Sequence, residues 1–274
     1  MKPGAIYHCS ILGAFLCGAS CIAAAPSATG VDVPTATAIP AVPAPATITG
    51  TNPNGGTLDL LSRVRSENEA LYSNLQSFVC NEHIERFKGS FSGENARHID
   101  TVTTKVSFEN GVEHYSDIFQ DTQRRISISS VPGAWSEGEF GTLLQQTQVL
   151  LNTQRVLFRM YTDLDGTPAA IYAVEIPQQN SPWLLEVERH HYRIPFHTEV
   201  WVSPATGQIL KIERISTAIP SRVGISEMRW GVTLQAVQLD QKSWLLPKTG
   251  NYAVLYKATG RREWNELNFS GYHR

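Results

Sequence analysis

Alternation of apolar and polar residues constrains the fold of this chain more than any other feature. Successive side chains of a strand point to opposite faces, so a period of two indicates strands with one buried face. One-sided burial of this kind is typical of an antiparallel sheet. We predict a large curved sheet of about ten or eleven strands from these runs. Their apolar members include Val102, Val106, Phe108, Val156, Phe158, Met160, Tyr172, Val174, Ile176, Val200, Val202, Leu210, Ile212, Met228, Trp230, Val232, Tyr252, Val254, Leu267 and Phe269.

Short turn sequences separate the alternating runs. The pair Asn110-Gly111 between two such runs is the strongest hairpin signal in the chain. Leu164-Asp165-Gly166-Thr167 and Pro204-Ala205-Thr206-Gly207 predict two further turns. The sequence has neither a βαβ rhythm nor an internal repeat, which excludes a doubly wound parallel sheet.

Two segments follow the helical period instead. From Thr57 to Phe78 apolar residues recur every three or four positions, which predicts an amphipathic helix of about 20 residues. A second helix is predicted with Ser136 as its N-cap and Glu139 in its first turn, and its apolar residues are Phe140, Leu143, Leu144 and Leu151. The predicted fold class is mainly β (α+β): a half-barrel with an N-terminal helix and one inserted helix.

The first 56 residues are predicted to lie outside the folded domain. Lys2, the uncharged run Cys9–Ala25 and the small-residue sequence Ile22-Ala23-Ala24 predict a signal peptide over residues 1–25. An uncleaved membrane anchor is the alternative, but the run is shorter than the ~20 apolar residues of a membrane span. Residues 26–56 contain six prolines and no aromatic residue, which predicts a disordered tether. Residues 57–274 then form a single β-rich domain.

One cysteine of the leader is a candidate for lipidation. Gly18-Ala19-Ser20-Cys21 resembles the lipobox of bacterial lipoproteins, in which the cysteine becomes the acylated first residue. It departs from that pattern at Gly18, where leucine is usual. Acylation of Cys21 would attach the protein to a membrane through its N-terminus alone. The expected location is the periplasm or the outer membrane, with secretion as the alternative.

The sequence contains no recognisable catalytic or metal-binding motif. If Val79–Phe87 is a strand, Cys80 and His83 point to opposite faces, which counts against a Cys–His nucleophile pair. Cys80 is expected to be a small buried apolar residue, with a reactive thiol or an intermolecular disulfide as alternatives. The neighbours His190 and His191 cannot chelate one metal from a regular strand. We therefore predict no catalytic residue, no metal, no cofactor and no enzymatic activity, and a net charge of −2 gives no basic excess for nucleic acid.

A signal, an amphipathic helix and a meander with an inserted helix together resemble the half-barrel superfamily of LolA-like lipoprotein carriers and RseB-like sensors. The hairpin "EVWVSPATGQILKIE" is the most similar local feature, and the closing "REWNELNFSGYHR" is similar to the last strand of uncharacterised exported bacterial proteins of this type. The resemblance covers most of residues 57–272. It implies a curved sheet whose concave side holds an apolar cavity plugged by helices, and it assigns no functional residue.

The functional prediction depends on how much of the sheet the helices can cover. Two helices, each ~10 Å across, cannot shield a ten-strand sheet that spans over ~40 Å at ~4.8 Å per strand. We therefore predict an apolar pocket for a lipid, an acyl chain or a lipoprotein segment, lined by Trp201, Trp230, Phe140 and Leu144. The alternative is a protein-interaction or envelope-sensing module that engages a partner chain through open sheet edges. The sequence leaves the oligomeric state open.

Overall fold

The computed structural model describes residues 7–9, 56–75, 78–92, 95–187 and 190–274. Its contacts divide the chain into two units, Met1–Gly13 with Asn52–Arg274, and Ala14–Thr51. The second unit lies outside the described residues. The candidate lipidation residue Cys21, the rest of the predicted leader beyond Cys9, and the tether up to residue 55 therefore lie outside them too.

The described residues form two α-helices and fifteen β-strands, numbered here in chain order. The helices are α1 (Thr57–Leu75) and α2 (Thr142–Thr153). The strands are β1 (Tyr7–Cys9), β2 (Val79–Ser90), β3 (Arg97–Glu109), β4 (Val112–Gln120), β5 (Gln123–Arg124), β6 (Ala134–Ser136), β7 (Leu157–Leu164), β8 (Thr167–Ile176), β9 (Leu184–Val187), β10 (His190–Arg193), β11 (Phe196–Val202), β12 (Ile209–Ser216), β13 (Ile225–Leu239), β14 (Lys242–Tyr256) and β15 (Arg261–His273).

Eleven of these strands form one antiparallel sheet in the order β5-β4-β3-β2-β15-β14-β13-β12-β11-β8-β7. The last strand, β15, lies in the middle of the sheet because it pairs with both β2 and β14. The sheet stays open, with β5 and β7 at its edges. The predicted large, curved, antiparallel sheet of ten or eleven strands is confirmed.

A second, smaller sheet has the order β10-β9-β1-β6. Its strand β1 belongs to the predicted leader. Tyr7–Cys9 runs parallel to Ala134–Ser136 and antiparallel to the end of β9, where Tyr7 is opposite Val187. Removal of the leader would therefore leave the facing edges of β6 and β9 without this strand.

We expect the protein isolated from its native host to lack the leader. The uncharged run from Cys9 to Ala25 and the small-residue sequence Ile22-Ala23-Ala24 predict cleavage next to Ala25. Intact-mass analysis measures this directly. A chain that begins at Cys21 with added acyl mass would support the lipoprotein form, whereas a product that retains Met1–Ala24 would contradict export by cleavage.

The hairpin turns occur where the sequence predicts them. Asn110 and Gly111 have φ values of 52° and 80° between β3 and β4, as a type I′ turn requires. Asp165 and Gly166, with φ values of 52° and 86°, repeat this arrangement between β7 and β8. These two turns set the registers that direct one face of the sheet to the core.

The start of the second helix differs from the prediction. α2 begins at Thr142, Ser136 lies in β6, and Glu139 precedes the helix. Gly141 occupies the N-cap without a side-chain hydrogen bond of its own. The backbone N–H groups of Gly141 and Thr142 instead donate to the carboxylate of Glu113, at 2.6 and 2.9 Å. The predicted Ser136 cap is wrong because a side chain from β4, distant in sequence, supplies the acceptor.

One apolar core joins the sheet to the helices. The face of the sheet that it buries, called the inner face below, includes the side chains of Cys80, Val102 and Trp230. We call α1, α2 and the segment 128–141 the cover, because their apolar side chains belong to the same core. The segment 128–141 adds material on the inner face that the two-helix estimate from the sequence did not include.

Candidate functional site: buried carboxyl groups beneath the cover

The helix α1 is fixed to the sheet at the turn between β11 and β12. Arg63 donates from Nη1 to the backbone oxygen of Ala205 at 2.7 Å. Gly207, in the same turn, has a φ of 83°, and a Cβ atom there would lie 2.9 Å from the Cβ of Arg63. Glycine therefore has two roles in this turn: it adopts the left-handed backbone conformation without strain, and its lack of a side chain allows α1 to approach closely.

The two helices of the cover are joined to each other by polar contacts. Asn68 donates from Nδ2 to Gln148 Oε1 at 2.8 Å, and Arg65 donates from Nε to the backbone oxygen of Leu151 at 2.9 Å. Asn68 is 1% exposed, and this bond satisfies its amide nitrogen, whereas its Oδ1 has no hydrogen-bond partner within the described residues. These contacts make α1 and α2 a coupled pair.

The segment 128–141 contacts the centre of the inner face. Phe140 packs against Phe269 and Tyr272 of β15, with ring centroids 6.3 and 6.2 Å apart. Asn265, also of β15, donates from Nδ2 to the backbone oxygen of Ala134 at 3.1 Å. The last strand of the chain is thus the main platform for this part of the cover.

Three glutamates meet where the cover contacts the inner face. Glu82 of β2 is 3% exposed, Glu139 of the cover is 1% exposed, and Glu113 of β4 is partly buried. Carboxyl groups are seldom buried without a cationic partner because burial disfavours their charged form. Three together therefore form an unusual site, which we call the carboxyl cluster.

Glu113 holds the beginning of α2 against β4. Besides the two backbone N–H groups of Gly141 and Thr142, its carboxylate accepts the hydroxyl proton of Tyr115 at 2.5 Å. The Tyr115 oxygen in turn accepts the backbone N–H of Gly138 at 3.2 Å. Burial raises the pKa of Glu113 by more than these hydrogen bonds lower it.

Glu139 connects the cover to β13. The indole N–H of Trp230 donates to Glu139 Oε1 at 2.6 Å. Within the described residues the other oxygen, Oε2, has no hydrogen-bond partner. Burial raises the pKa of Glu139 to about 8, although hydrogen bonds from Ser136 and Trp230 act in the opposite direction. Burial at this position therefore favours the protonated side chain.

Glu82 points inward from β2 between Cys80 and Ile84. Burial raises its pKa well above the usual range, and the negative charges of Glu139 and Glu113 raise it further. The same burial and the same carboxylates raise the pKa of Tyr115. The members of the cluster thus disfavour one another's ionisation, which is the behaviour of coupled carboxyl groups that share a dry site.

Cys80 is a buried thiol, as the sequence predicts. Its side chain is 0% exposed, and burial raises its pKa. His83 points away from it and contacts Glu85, with 2.6 Å between Nε2 and Oε1. Among the described residues no group of three His, Cys, Asp or Glu side chains has the geometry to hold a metal ion. The carboxyl cluster is not such a group.

The structure places three of the four predicted ligand-contacting residues in the main apolar core. Trp230, Phe140 and Leu144 are 0%, 1% and 0% exposed and belong to the single main core. Trp201 lies in a separate small cluster with Ala169 and Ile171, where the ammonium group of Lys211 is 4.5 Å from the centre of its ring. The three side chains are buried in this conformation, and their contact with a ligand stays a prediction.

A crevice of about 180 Å³ lies between α1 and the strands next to the β11–β12 turn. Its wall on α1 includes Ala70 and Leu71, and its wall on β14 includes Trp244 and Leu245. A larger groove of about 570 Å³ is lined by side chains of β12 to β15, among them Glu227, Arg229 and Arg262. Its lining also includes the apolar side chains of Phe91, Leu255 and Trp264.

Comparisons with known proteins are limited to solved structures, since no family model and no curated sequence matches the chain. A DUF1329 family protein from Desulfovibrio piger has 9% identity and a TM-score of 0.40, with 78% of this chain and 90% of that chain covered. A putative outer membrane lipoprotein-sorting protein domain from Vibrio parahaemolyticus has 13% identity and a TM-score of 0.39, with 78% and 91% covered. MucB of Pseudomonas aeruginosa, solved with MucA, has 10% identity and a TM-score of 0.22, with 76% and 92% covered.

At these identities and TM-scores, the similarities carry no function to this chain. Within the described residues, no helix is long and apolar enough to cross a membrane.

Proposed function

We propose that the protein is exported and binds an apolar or amphipathic ligand, such as a lipid acyl chain or a lipoprotein segment, between the inner face and the cover. The observation that carries the proposal is how the inner face is closed. It is covered by two helices and a segment that contribute no strand to the eleven-stranded sheet. The cover can therefore move away without breaking the hydrogen-bond ladder of that sheet.

The carboxyl cluster supports the same conclusion. A core built only for stability would place apolar side chains at the positions of Glu82 and Glu139, because buried ionisable groups lower the stability of the folded state. Natural proteins break such packing rules mainly at functional sites. In this chain the buried carboxyl groups of Glu82 and Glu139, which depart from these packing rules, lie at the boundary between the cover and the sheet.

The size of the crevice requires the cover to move for a long-chain ligand. Ligand sites for drug-sized molecules have volumes of roughly 300–1,000 Å³. The crevice beside α1 has about 180 Å³. Displacement of the cover would remove the contact of Glu139 with Trp230, which would keep its packing against Trp183, and would place Phe140 and Leu144 on the displaced side. The ligand would then replace contacts that the cover makes in the closed state.

The test is binding of a long-chain fatty acid or a phospholipid analogue, followed by tryptophan emission and thermal unfolding. Both signals should change together, because a ligand that binds only the native state stabilises it by about 2.7 kcal/mol at 100 times its Kd. Trp230→Phe should remove most of the emission change. Trp201→Phe, which alters the outer cluster, is the matched control and should retain the change. Absence of both signals up to the solubility limit of the ligand rules the proposal out.

A partner chain at the sheet edge is the second candidate, and one observation favours it. Among the strands that the structure describes, the edge strand β7 pairs only with β8, and it carries Leu157, Met160 and Tyr161 with 39%, 48% and 36% of their surface exposed. An open edge with apolar side chains can accept an extended segment from another chain. Photo-crosslinking from position 160, compared with the exposed Phe119 near the opposite edge, would locate such a partner on β7.

A further inference from the structure

We propose that the groove of about 570 Å³ on strands β12 to β15 binds an oligosaccharide of glucose-type pyranose rings. The groove lies on the face of the sheet opposite the inner face, which we call the outer face. This site is separate from the space beneath the cover, so its ligand does not depend on the proposed function. The position and the chemistry of the side chains in the groove carry the proposal.

Strand alternation directs the side chains of the groove to the outer face. In β13 Trp230 is buried on the inner face, so its neighbour Arg229 points outward. In β15 Asn265 donates to the cover, so its neighbour Trp264 points outward. Ala253 of β14 is directly opposite Arg229 on one side and Trp264 on the other. Arg229, Ala253 and Trp264 therefore form one row across three adjacent strands of the outer face.

The small side chain of Ala253 leaves a slot between Trp264 and Arg229. Their strands, β15 and β13, are two strand spacings apart, or ~9.6 Å at ~4.8 Å per strand. A ring that touches both walls needs about 7–8 Å between them, at ~3.5–4.0 Å for each contact. The slot therefore admits a single ring, whereas an α-helix, ~10–12 Å across, is too wide for it.

One face of the Trp264 ring borders this slot. The opposite face is stacked on Phe87 of β2, with ring centroids 5.4 Å apart and 17° between the ring planes. Because β2 and β14 lie on opposite sides of β15, the ring face turned away from Phe87 is on the side of Ala253. The indole N–H of Trp264 donates to Glu266 Oε1 at 3.2 Å. The stacking and this hydrogen bond hold the ring in place before a ligand binds, which lowers the entropic cost of binding.

Polar side chains line the slot on both sides along the strands. The row on one side of Ala253 is formed by Glu213 of β12, Asn251 of β14 and Glu266 of β15, and the row on the other side by Glu227 of β13 and Arg262 of β15. Glu227 also fixes Arg229, whose Nε donates to Glu227 Oε1 at 2.6 Å. The carboxylates of these rows accept hydrogen bonds, the guanidinium groups donate them, and the amide of Asn251 does both.

A glucose-type pyranose matches this arrangement. Because its hydroxyl groups are equatorial, its two ring faces carry C–H bonds that pack on an aromatic ring, and its hydroxyl groups project from the rim towards polar side chains. Three glutamates and two arginines line the groove, so their charges nearly balance, which favours a neutral ligand over an ion. A purely apolar ligand would bury these polar groups without hydrogen-bond partners. The volume lies within the ~300–1,000 Å³ typical of ligand sites.

The test is a calorimetric titration of the full chain with cellotetraose and with chitotetraose, two neutral oligomers of such rings. We expect saturable binding of at least one of them with a Kd of about 1 mM or lower. Trp264→Ala removes the stacking face, and Ala253→Leu fills the slot, so each should raise the Kd about tenfold or more. Ala236→Leu, which enlarges an exposed alanine of β13 outside the groove, is the matched control and should retain the wild-type Kd. Thermal unfolding shows whether each variant is folded, and Ala253→Leu decides the question if Trp264→Ala is not.

Two results would overturn the proposal: absence of sugar binding up to about 10 mM, or an equal Kd in the wild type, Trp264→Ala and Ala253→Leu. A synthetic peptide of residues 34–46 is the comparison, because this proline-rich sequence of the tether is of the kind that docks in aromatic grooves. Binding of the peptide but of neither sugar, weakened by Trp264→Ala, would assign the groove to an extended peptide and would likewise contradict the proposal.

Discussion

Replacing Arg86 with alanine is expected to lower the free energy of unfolding by about 3–5 kcal/mol, as for other buried ion pairs that lose one partner. Arg86 donates from Nε and Nη2 to the two carboxylate oxygens of Asp100, both at 2.5 Å, and from Nη1 to the backbone oxygen of Pro132 at 2.8 Å. The two side chains of this pair are 3% and 6% exposed. The substitution leaves a buried carboxylate with Gln120 as its remaining side-chain donor. Urea denaturation at pH 7 measures the loss.

Two further variants distinguish the effect of this buried ion pair on stability from the effect of an ion pair at the surface. Arg229→Ala removes a partner from the exposed pair with Glu227, and its effect should stay within about 0.5 kcal/mol. The double variant Arg86→Leu with Asp100→Leu should be less destabilised than Arg86→Ala, since no unpaired charge remains. A loss below about 1 kcal/mol for Arg86→Ala would mean that solvent reaches Asp100 in the folded protein.

The same pair predicts a loss of stability in acid. Burial alone would raise the pKa of Asp100, but the hydrogen bonds from Arg86 and Gln120 outweigh it and lower the pKa. Folding therefore favours the ionised form, and this contribution is present above the unfolded pKa of about 3.9. It is lost as the pH falls through the folded pKa. In Arg86→Ala the acid dependence between pH 5 and 3 should decrease.

The sheet was predictable because its determinants are local. The alternation in β13 directs Met228, Trp230 and Val232 to one face, and all three are buried on the inner face. The turn at Asn110-Gly111 fixes its own geometry through residues that tolerate positive φ. Such signals need no knowledge of the rest of the chain.

The cover was only partly predictable, because its contacts join residues distant in sequence. The acceptor for the first N–H groups of α2 is Glu113, which precedes Thr142 by 29 positions. Nothing in the sequence around Ser136 indicates that β4 supplies this acceptor. The prediction of a local cap therefore failed where a tertiary contact replaced it.

One feature of the sequence indicates part of the carboxyl cluster. Glu82 shares a strand face with Cys80 and Ile84, which places a carboxyl group on the face that carries the apolar residues. Trp201 is the opposite case: Val200 and Val202 point inward, so the residue between them points outward. Trp201 is buried in a second cluster with Ala169 and Ile171. The amino-acid composition of the strands does not distinguish burial in this cluster from burial in the main core.

The second large effect concerns Glu139 and has the opposite sign to that of Arg86. Glu139→Gln is expected to stabilise the protein by a few kcal/mol at pH 8, because the glutamine stays neutral and its amide oxygen can still accept the Trp230 N–H. Burial raises the folded pKa of Glu139 to about 8 from 4.5, so its contribution to stability is complete below pH 4.5 and is lost as the pH rises to 8. Over that range the wild type should lose about 1.4 kcal/mol per pH unit more than the variant. Urea denaturation at several pH values between 5 and 8 measures the difference.

A matched substitution and one alternative result complete the test. Glu67→Gln, on the exposed side of α1, should leave the pH dependence of the wild type unchanged. A Glu139→Gln variant that is less stable at every pH, with the same slope as the wild type, would show that Glu139 is ionised in the folded protein. Its charge would then have to be balanced by a cation on the inner face, and Arg214, whose guanidinium carbon is 5.3 Å from the centre of the Trp230 ring, is placed to do so. In that case Arg214→Met should destabilise the wild type far more than it destabilises Glu139→Gln, because only the wild type would retain an unpaired buried charge.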